Sequence, residues 1–154
     1  GGTQEVLRLA CTHRIKPMHF ISTLSVIYPP TYMAGGVVHE DSPAGPVASL
    51  PNGYMQSKCV AEHLVQQAGA RGLPVVTYRL GAITGHSKTS VCNLGDFFYS
   101  ALRSAVQLGF ADDLDTDQTL VPVDHSARVV VALSKLPTAR TGLSHQCTAD
   151  VHVA

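Results

Sequence analysis

The sequence predicts a doubly wound α/β fold, a parallel sheet covered on both faces by helices. Three observations carry that prediction. Stretches with helical apolar spacing alternate with short apolar runs of strand length. Glycine or proline marks the junctions between them. The 154 residues are 45% hydrophobic and 14% charged, the balance of one globular domain able to bury a core.

In chain order, residues 3–14 read as a first helix, with Val6, Leu7, Leu9 and Ala10 as its apolar face. Lys16-Pro17 breaks it, and Met18–Thr23 (MHFIST) follows as a strand ending in the hydroxyls of Ser22, Thr23 and Ser25. From Tyr28 to Pro51 lie five of the chain's nine prolines. Such an irregular excursion is where function rather than core is expected. Pro51, Asn52 and Gly53 open a helix from Tyr54 to about Ala70 with Val60, Leu64 and Val65 inside, and Gly72 is its natural stop. Leu73–Leu80 (LPVVTYRL) reads as a buried strand, and Gly81–Gly85 as a glycine-bounded loop. A third helix is expected from Asn93 to about Leu108, with Phe97, Phe98 and Leu102 on its core side. After an acidic loop at 111–118, Thr119–Val123 is strand-like, Asp124 is expected to cap a helix to Leu133, and residues 142–147 make a last weak strand. Because the first helix has no strand or cap before it, the chain is expected to be a cut piece of a larger domain.

Eleven basic and eleven acidic side chains cancel without forming runs, so neither nucleic acid nor an anionic membrane surface is an expected partner. The apolar runs are too short to span a bilayer, and nothing reads as a signal peptide. The cysteines at 11, 59, 92 and 147 form no C-x-x-C pair. Buried free thiols in a reducing, cytoplasmic setting are expected rather than disulfides or a zinc site. The eight histidines show no paired ligand spacing, so no metal is expected.

Tyr54 and Lys58 stand four apart, on one face of their helix. An ammonium fixed beside a phenol favours the phenolate, which lets a tyrosine exchange a proton with a substrate oxygen near neutral pH. Y-x-x-x-K alone specifies little, since the pair recurs by chance in many helices. Its neighbours strengthen it. The hydroxyl cluster and the Gly81–Gly85 loop both follow strands, where ligands sit in open α/β sheets. Thr23, Tyr54 and Lys58 can thus converge on one carbonyl carbon, a set suited to hydride transfer. Strand-end hydroxyls such as Thr23 more often serve only backbone groups. Residues 81–89 (GAITGHSKT) fail as a phosphate-binding loop, with three residues between the glycines and His86 after the second. They fail as a nucleophile elbow because Thr89 replaces the second glycine.

Four blocks, HFISTLSV, GYMQSKCVAEHLV, ARGLPVVTYRLGAITGHSKT and QLGFADDLDTDQTLVPVDHSARVVVALS, resemble the thioester reductase domains of the extended short-chain dehydrogenase/reductase superfamily. These are the terminal reductase domains of nonribosomal peptide and polyketide synthetases, found also in carboxylic acid and aminoadipate reductases. The resemblance covers residues 2–145, with the blocks in the family's order. It implies a Rossmann-like fold and NADPH-dependent release of an acyl or peptidyl thioester, bound to a phosphopantetheine carrier domain, as an aldehyde or further as an alcohol. By position, Thr23 matches the hydroxyl that binds the carbonyl oxygen and Tyr54 the proton donor. Lys58 matches the residue that holds the nicotinamide ribose, which places Tyr54 and Lys58 at the cofactor as well. Leu80, Gly81, Ala82 and Ile83 match the loop beside the nicotinamide. Asn93, Gln107-Leu108-Gly109 and Val121-Pro122-Val123-Asp124 match further blocks.

Cys59 stands where the family usually has Trp, and Ser90 where Gly is usual. The family's glycine-rich G-x-x-G-x-x-G turn, which cradles the pyrophosphate, has no counterpart in the 154 residues. The chain is therefore expected to be a single partial reductase domain, the C-terminal, catalytic-side half of a Rossmann-like unit, inactive and weak in NADPH binding by itself. Within the same superfamily, a sugar-nucleotide epimerase, a dehydratase or a small-carbonyl reductase is an alternative. A non-catalytic cofactor-sensing module is a third, which the presence of both Tyr54 and Lys58 disfavours.

Overall fold

The computed structural model describes residues 1–27, 39–110 and 120–137. Helix α1 (Gly2–Cys11) ends where Lys16 folds back. Its ammonium donates to the carbonyls of Leu9 at 2.9 Å and Thr12 at 2.8 Å, satisfying acceptors that the last turn leaves open. Only part of the expected apolar face turns inward: Ala10 is buried and Leu7 packs on the core, whereas Val6 and Leu9 are exposed.

Strand β1 (Met18–Thr23) pairs in parallel with β2 (Val75–Leu80), with Met18 opposite Val75 and Thr23 opposite Leu80. Helix α2 (Gly53–Ala70) connects them on the way. The Asn52 carboxamide accepts the Met55 N–H at 2.9 Å and so caps its N-terminus. The helix stops at Gly72, whose φ of +99° lies in the region that favours glycine.

Alternating side chains give the pair two apolar faces. On one, Met18 and Val75 pack with Val65 of α2, Leu73 and Ala10 of α1. On the other, Val76 and Tyr78 pack with Val130 and Leu133 of helix α4 (Val123–Ser134). Covered on both sides by helices, this sheet has the predicted doubly wound character. A third cluster joins Val26 and Ile27, just past β1, to Ala44, Leu50 and Cys59.

Residues 81–85 are not a loop throughout. After Gly81, Ala82–Thr84 form β3, which pairs in parallel with β4 (Leu120–Pro122). Three residues between glycines carry too little pattern to announce a strand, and the pairing is set by a segment 38 positions further on. Helix α3 runs from Phe97 to Leu108, capped by the Asp96 carboxylate accepting the Phe98 N–H at 2.9 Å. The expectation of a core side fails here: among the described residues Phe97 is 86% exposed, Leu102 is exposed and no α3 residue is buried. No helix of the described residues is long and apolar enough to cross a membrane. The acidic loop, the last weak strand and Cys147 lie outside the described residues. Cys59 is buried and free as expected, but Cys11 is exposed.

Candidate active site

The site is built at the carboxyl ends of β1 and β2. Because the strands are parallel and in register, Thr23 and Leu80 end side by side. Gly81 then carries the chain directly into β3, so Ala82 and Ile83 begin a second strand pair at the same edge, both exposed. The run 80–83 is thus a strand-to-strand passage, where a loop was expected.

Helix α2 presents its first turns to this edge. Lys58 donates from Nζ to the Ile21 carbonyl at 2.8 Å and lies over the Phe20 ring, 5.1 Å from its centroid. Burial pushes its ammonium below the usual lysine range, and the carboxylate of Glu62 opposes that shift. Among the described residues the Ile21 carbonyl takes one of its three N–H donors, leaving two for a ligand. Tyr54, one turn earlier, is 61% exposed, and its hydroxyl bonds to no other described residue. Thr23 is buried. Its hydroxyl donates to Ser25 Oγ and accepts the Ser25 N–H, both at 3.2 Å. The strand-end role that hydroxyls usually have is therefore present, and a ligand oxygen would compete only with the contact to Ser25 Oγ. Among the described residues no hydrogen bond joins the Thr23, Tyr54 and Lys58 side chains to one another; the Lys58–Ile21 bond brings their elements together.

Hydrophobic spacing placed the inner face of α2 only in part: Val65 is buried and Leu64 half-buried as expected. Val60 is 46% exposed, and the buried positions are Cys59, Glu62 and Val65. Glu62 is fully buried because Arg79 of β2 pairs with it through Nε and Nη2. Ser22 of β1 donates to the same carboxylate at 2.6 Å, and Gln66 does so at 3.1 Å. Arg79 also donates from Nη1 to the Ser42 carbonyl at 2.7 Å. The signal for this cluster was Arg79, a lone charge inside the otherwise largely apolar strand run VVTYRL. Burial with neighbouring carboxylate also pushes the Cys59 thiol up, Arg79 opposing; its Sγ donates to the Gly45 carbonyl.

Past β3, Gly85 is closely enclosed: a Cβ there would stand 3.2 Å from Cys92 Cβ and the Ser90 and Val91 carbonyls, which would have to give by a few tenths of an ångström. Tyr99 Oη accepts the Gly85 N–H at 2.7 Å. Asp124 does not cap α4, whose preceding residue is Pro122; it sits in the first turn. Its carboxylate accepts the Ser87 N–H at 2.9 Å, the Ser87 hydroxyl at 3.0 Å and Arg128 at 2.9 Å. The Ser87 amide bond, with lesser help from the Ser87 hydroxyl, Arg128 and His86, holds the carboxyl well below the usual aspartate range despite some desolvation.

A strand-end hydroxyl, an exposed phenol and an ammonium with spare donors can together hold an oxygen, give it a proton and bind neighbouring hydroxyls. The chain as a whole is similar to known proteins. The NAD-binding family described as Male sterility protein matches residues 1–130. The isonitrile lipopeptide synthase of Streptomyces coeruleorubidus is 43% identical over 148 residues, 95% of this chain and 10% of that protein. Among solved structures, the terminal R domain from the myxalamid PKS-NRPS biosynthetic pathway is 41% identical with a TM-score of 0.86, over 94% of this chain and 36% of that one. A thiolation-reductase di-domain from an archaeal non-ribosomal peptide synthetase is 26% identical with a TM-score of 0.74, over 95% and 32%. The chain thus spans a tenth of the synthase and about a third of each solved chain.

Proposed function

We propose, for a chain that belongs to the NAD-binding family described as Male sterility protein, that it supplies the catalytic side of a cytoplasmic reductase domain. That domain reduces an acyl or peptidyl thioester, carried on the phosphopantetheine arm of a neighbouring carrier domain, and releases it as an aldehyde. The observation that carries this reading is the 2.8 Å bond from Lys58 to the Ile21 carbonyl, which ties the helix bearing Tyr54 to the strand end bearing Thr23. The relatives named above, a lipopeptide synthase and reductase domains of synthetases, support it.

The donor set fits a nicotinamide nucleotide, and NADPH is the form proposed. Lys58, with two unspent N–H donors, suits the ribose hydroxyls, and Leu80, Gly81, Ala82 and Ile83 offer a largely apolar wall for the ring. Bound NADPH supplies the hydride. The chain's own residues do the rest. Thr23 turns its hydroxyl from Ser25 Oγ to the thioester carbonyl oxygen and holds it where negative charge develops. Tyr54, solvent-facing, hands its proton to that oxygen. As the C–S bond of the resulting hemithioacetal breaks, its hydroxyl proton returns to the Tyr54 phenolate and the thiolate leaves to take a proton from water, giving the aldehyde and a free thiol.

The test is to give the complete reductase domain NADPH and an acyl-pantetheine thioester. Aldehyde or alcohol with matching NADPH consumption is expected. Turnover of a sugar nucleotide with no thioester reduction would overturn the reading in favour of an epimerase.

A further inference from the structure

We infer that Glu62, with its partners Ser22 and Arg79, is a positioning residue that sets Thr23 in register with Tyr54 and Lys58. The inference rests on the assignment of those three residues proposed above. A buried ion pair is by itself poor evidence of purpose, since apolar replacements of such pairs are often as stable. What distinguishes this one is where its bonds go.

Tyr54, Lys58 and Glu62 follow one another at four-residue steps, so they share a stripe on α2. Ser22, which donates to Glu62 at 2.6 Å, lies between Ile21, the acceptor of Lys58, and Thr23. The Lys58–Ile21 and Glu62–Ser22 bonds are therefore successive rungs between the same helix and the same strand end. Arg79 adds a rung to β2 one residue before Leu80 and, through the Ser42 carbonyl, anchors the segment that leads into α2. Beside the packing of Val65 and Cys59, Lys58 alone would give the helix one exposed polar contact with the strand end. With the buried carboxylate as a second point, both the tilt of the Tyr54 turn and the twist of β1 at Thr23 are fixed. A displacement of about 1 Å at such a site can cost up to ~100-fold in rate.

Removing Glu62 would strand the Arg79 cation and threaten folding, so the decisive variant is Ser22→Ala, which keeps the ion pair and deletes one rung. In the complete reductase domain, kcat for the acyl-pantetheine thioester is expected to fall about tenfold or more. KM is expected to change less than about twofold, and backbone hydrogen exchange to rise at residues 21–23 and 53–58 ahead of the rest of α2. Unchanged kcat together with unchanged exchange would overturn the inference, as would a uniform rise in exchange across the domain. Should the wild-type domain reduce no thioester, the functional reading falls alone. The exchange comparison needs no substrate and still decides the positioning claim: a local rise supports it, and no rise overturns it.

Discussion

Two carboxylates, Glu62 and Asp124, do similar mechanical work in opposite surroundings. Each sits near the start or middle of a helix, accepts bonds from a serine on a strand end or loop, and pairs with an arginine. Glu62 is wholly buried, and its arginine is 1% exposed. Asp124 is nearly covered, but Arg128 beside it is 67% exposed. The first joins α2, β1 and β2 inside the core; the second pins the segment after β3 to the N-terminal turn of α4. The difference teaches which half of the site is rigid by construction. Around Tyr54 and Lys58 the fastening is desolvated and indifferent to salt, whereas around Ser87 it is wet and screened.

The largest effect expected from breaking this contrast is at Glu62. Glu62→Ala leaves Arg79 charged and unpaired in the core, which should cost about 3–5 kcal/mol in urea unfolding of the complete domain. A loss below about 1 kcal/mol would mean that water reaches Arg79 and the anchor is not dry. Asp124 should give a smaller, pH-dependent effect. Its carboxyl is held below the ordinary value of about 3.9, so its contribution is present above that pH and fades as the pH falls below it. Wild type and Asp124→Asn should accordingly differ in Tm at pH 7 and converge below about pH 4. A constant gap down to pH 2 would show that the charge is irrelevant. The smallest effect should come from Ser90, whose φ of +57° lies in the left-handed region. Ser90→Gly relieves that strain at the cost of a more flexible unfolded chain, a net gain of about 0.5 kcal/mol. Destabilisation there would mean that the Ser90 side chain holds the turn.

Ser90 also shows what sequence reading can and cannot reach. Glycine is usual at that position in the family resembled, and the backbone explains why. The strand Met18–Thr23 and the Gly72 stop were legible because each depends on local chemistry: a short apolar run after Lys16-Pro17, and a residue that takes a positive φ. The positions of Tyr54 and Lys58 on one helical face followed from the same local rules. Strand β3 and the burial of Glu62 in α2 were not legible, since each is fixed by a distant partner. Ala82–Thr84 is a strand only because Leu120–Pro122 lies beside it, and Glu62 faces inward only because Arg79 meets it. A hydrophobic count assigns Val60 to the core and Glu62 to water, and tertiary pairing reverses both. In α3 the apolar residues do share one broad face, opposite Ser100, Arg103, Ser104 and Gln107, but the described residues leave that face exposed.

The central claim, that Tyr54 gives the proton on a scaffold held by Lys58, is tested most directly by Tyr54→Phe in the complete reductase domain. Steady-state reduction of an acyl-pantetheine thioester and NADPH binding are measured on the same preparation. The account expects kcat to fall by about 10²–10⁴-fold, the worth of a positioned proton donor, with NADPH Kd within about twofold of wild type. Turnover that survives the loss of the phenol would contradict it.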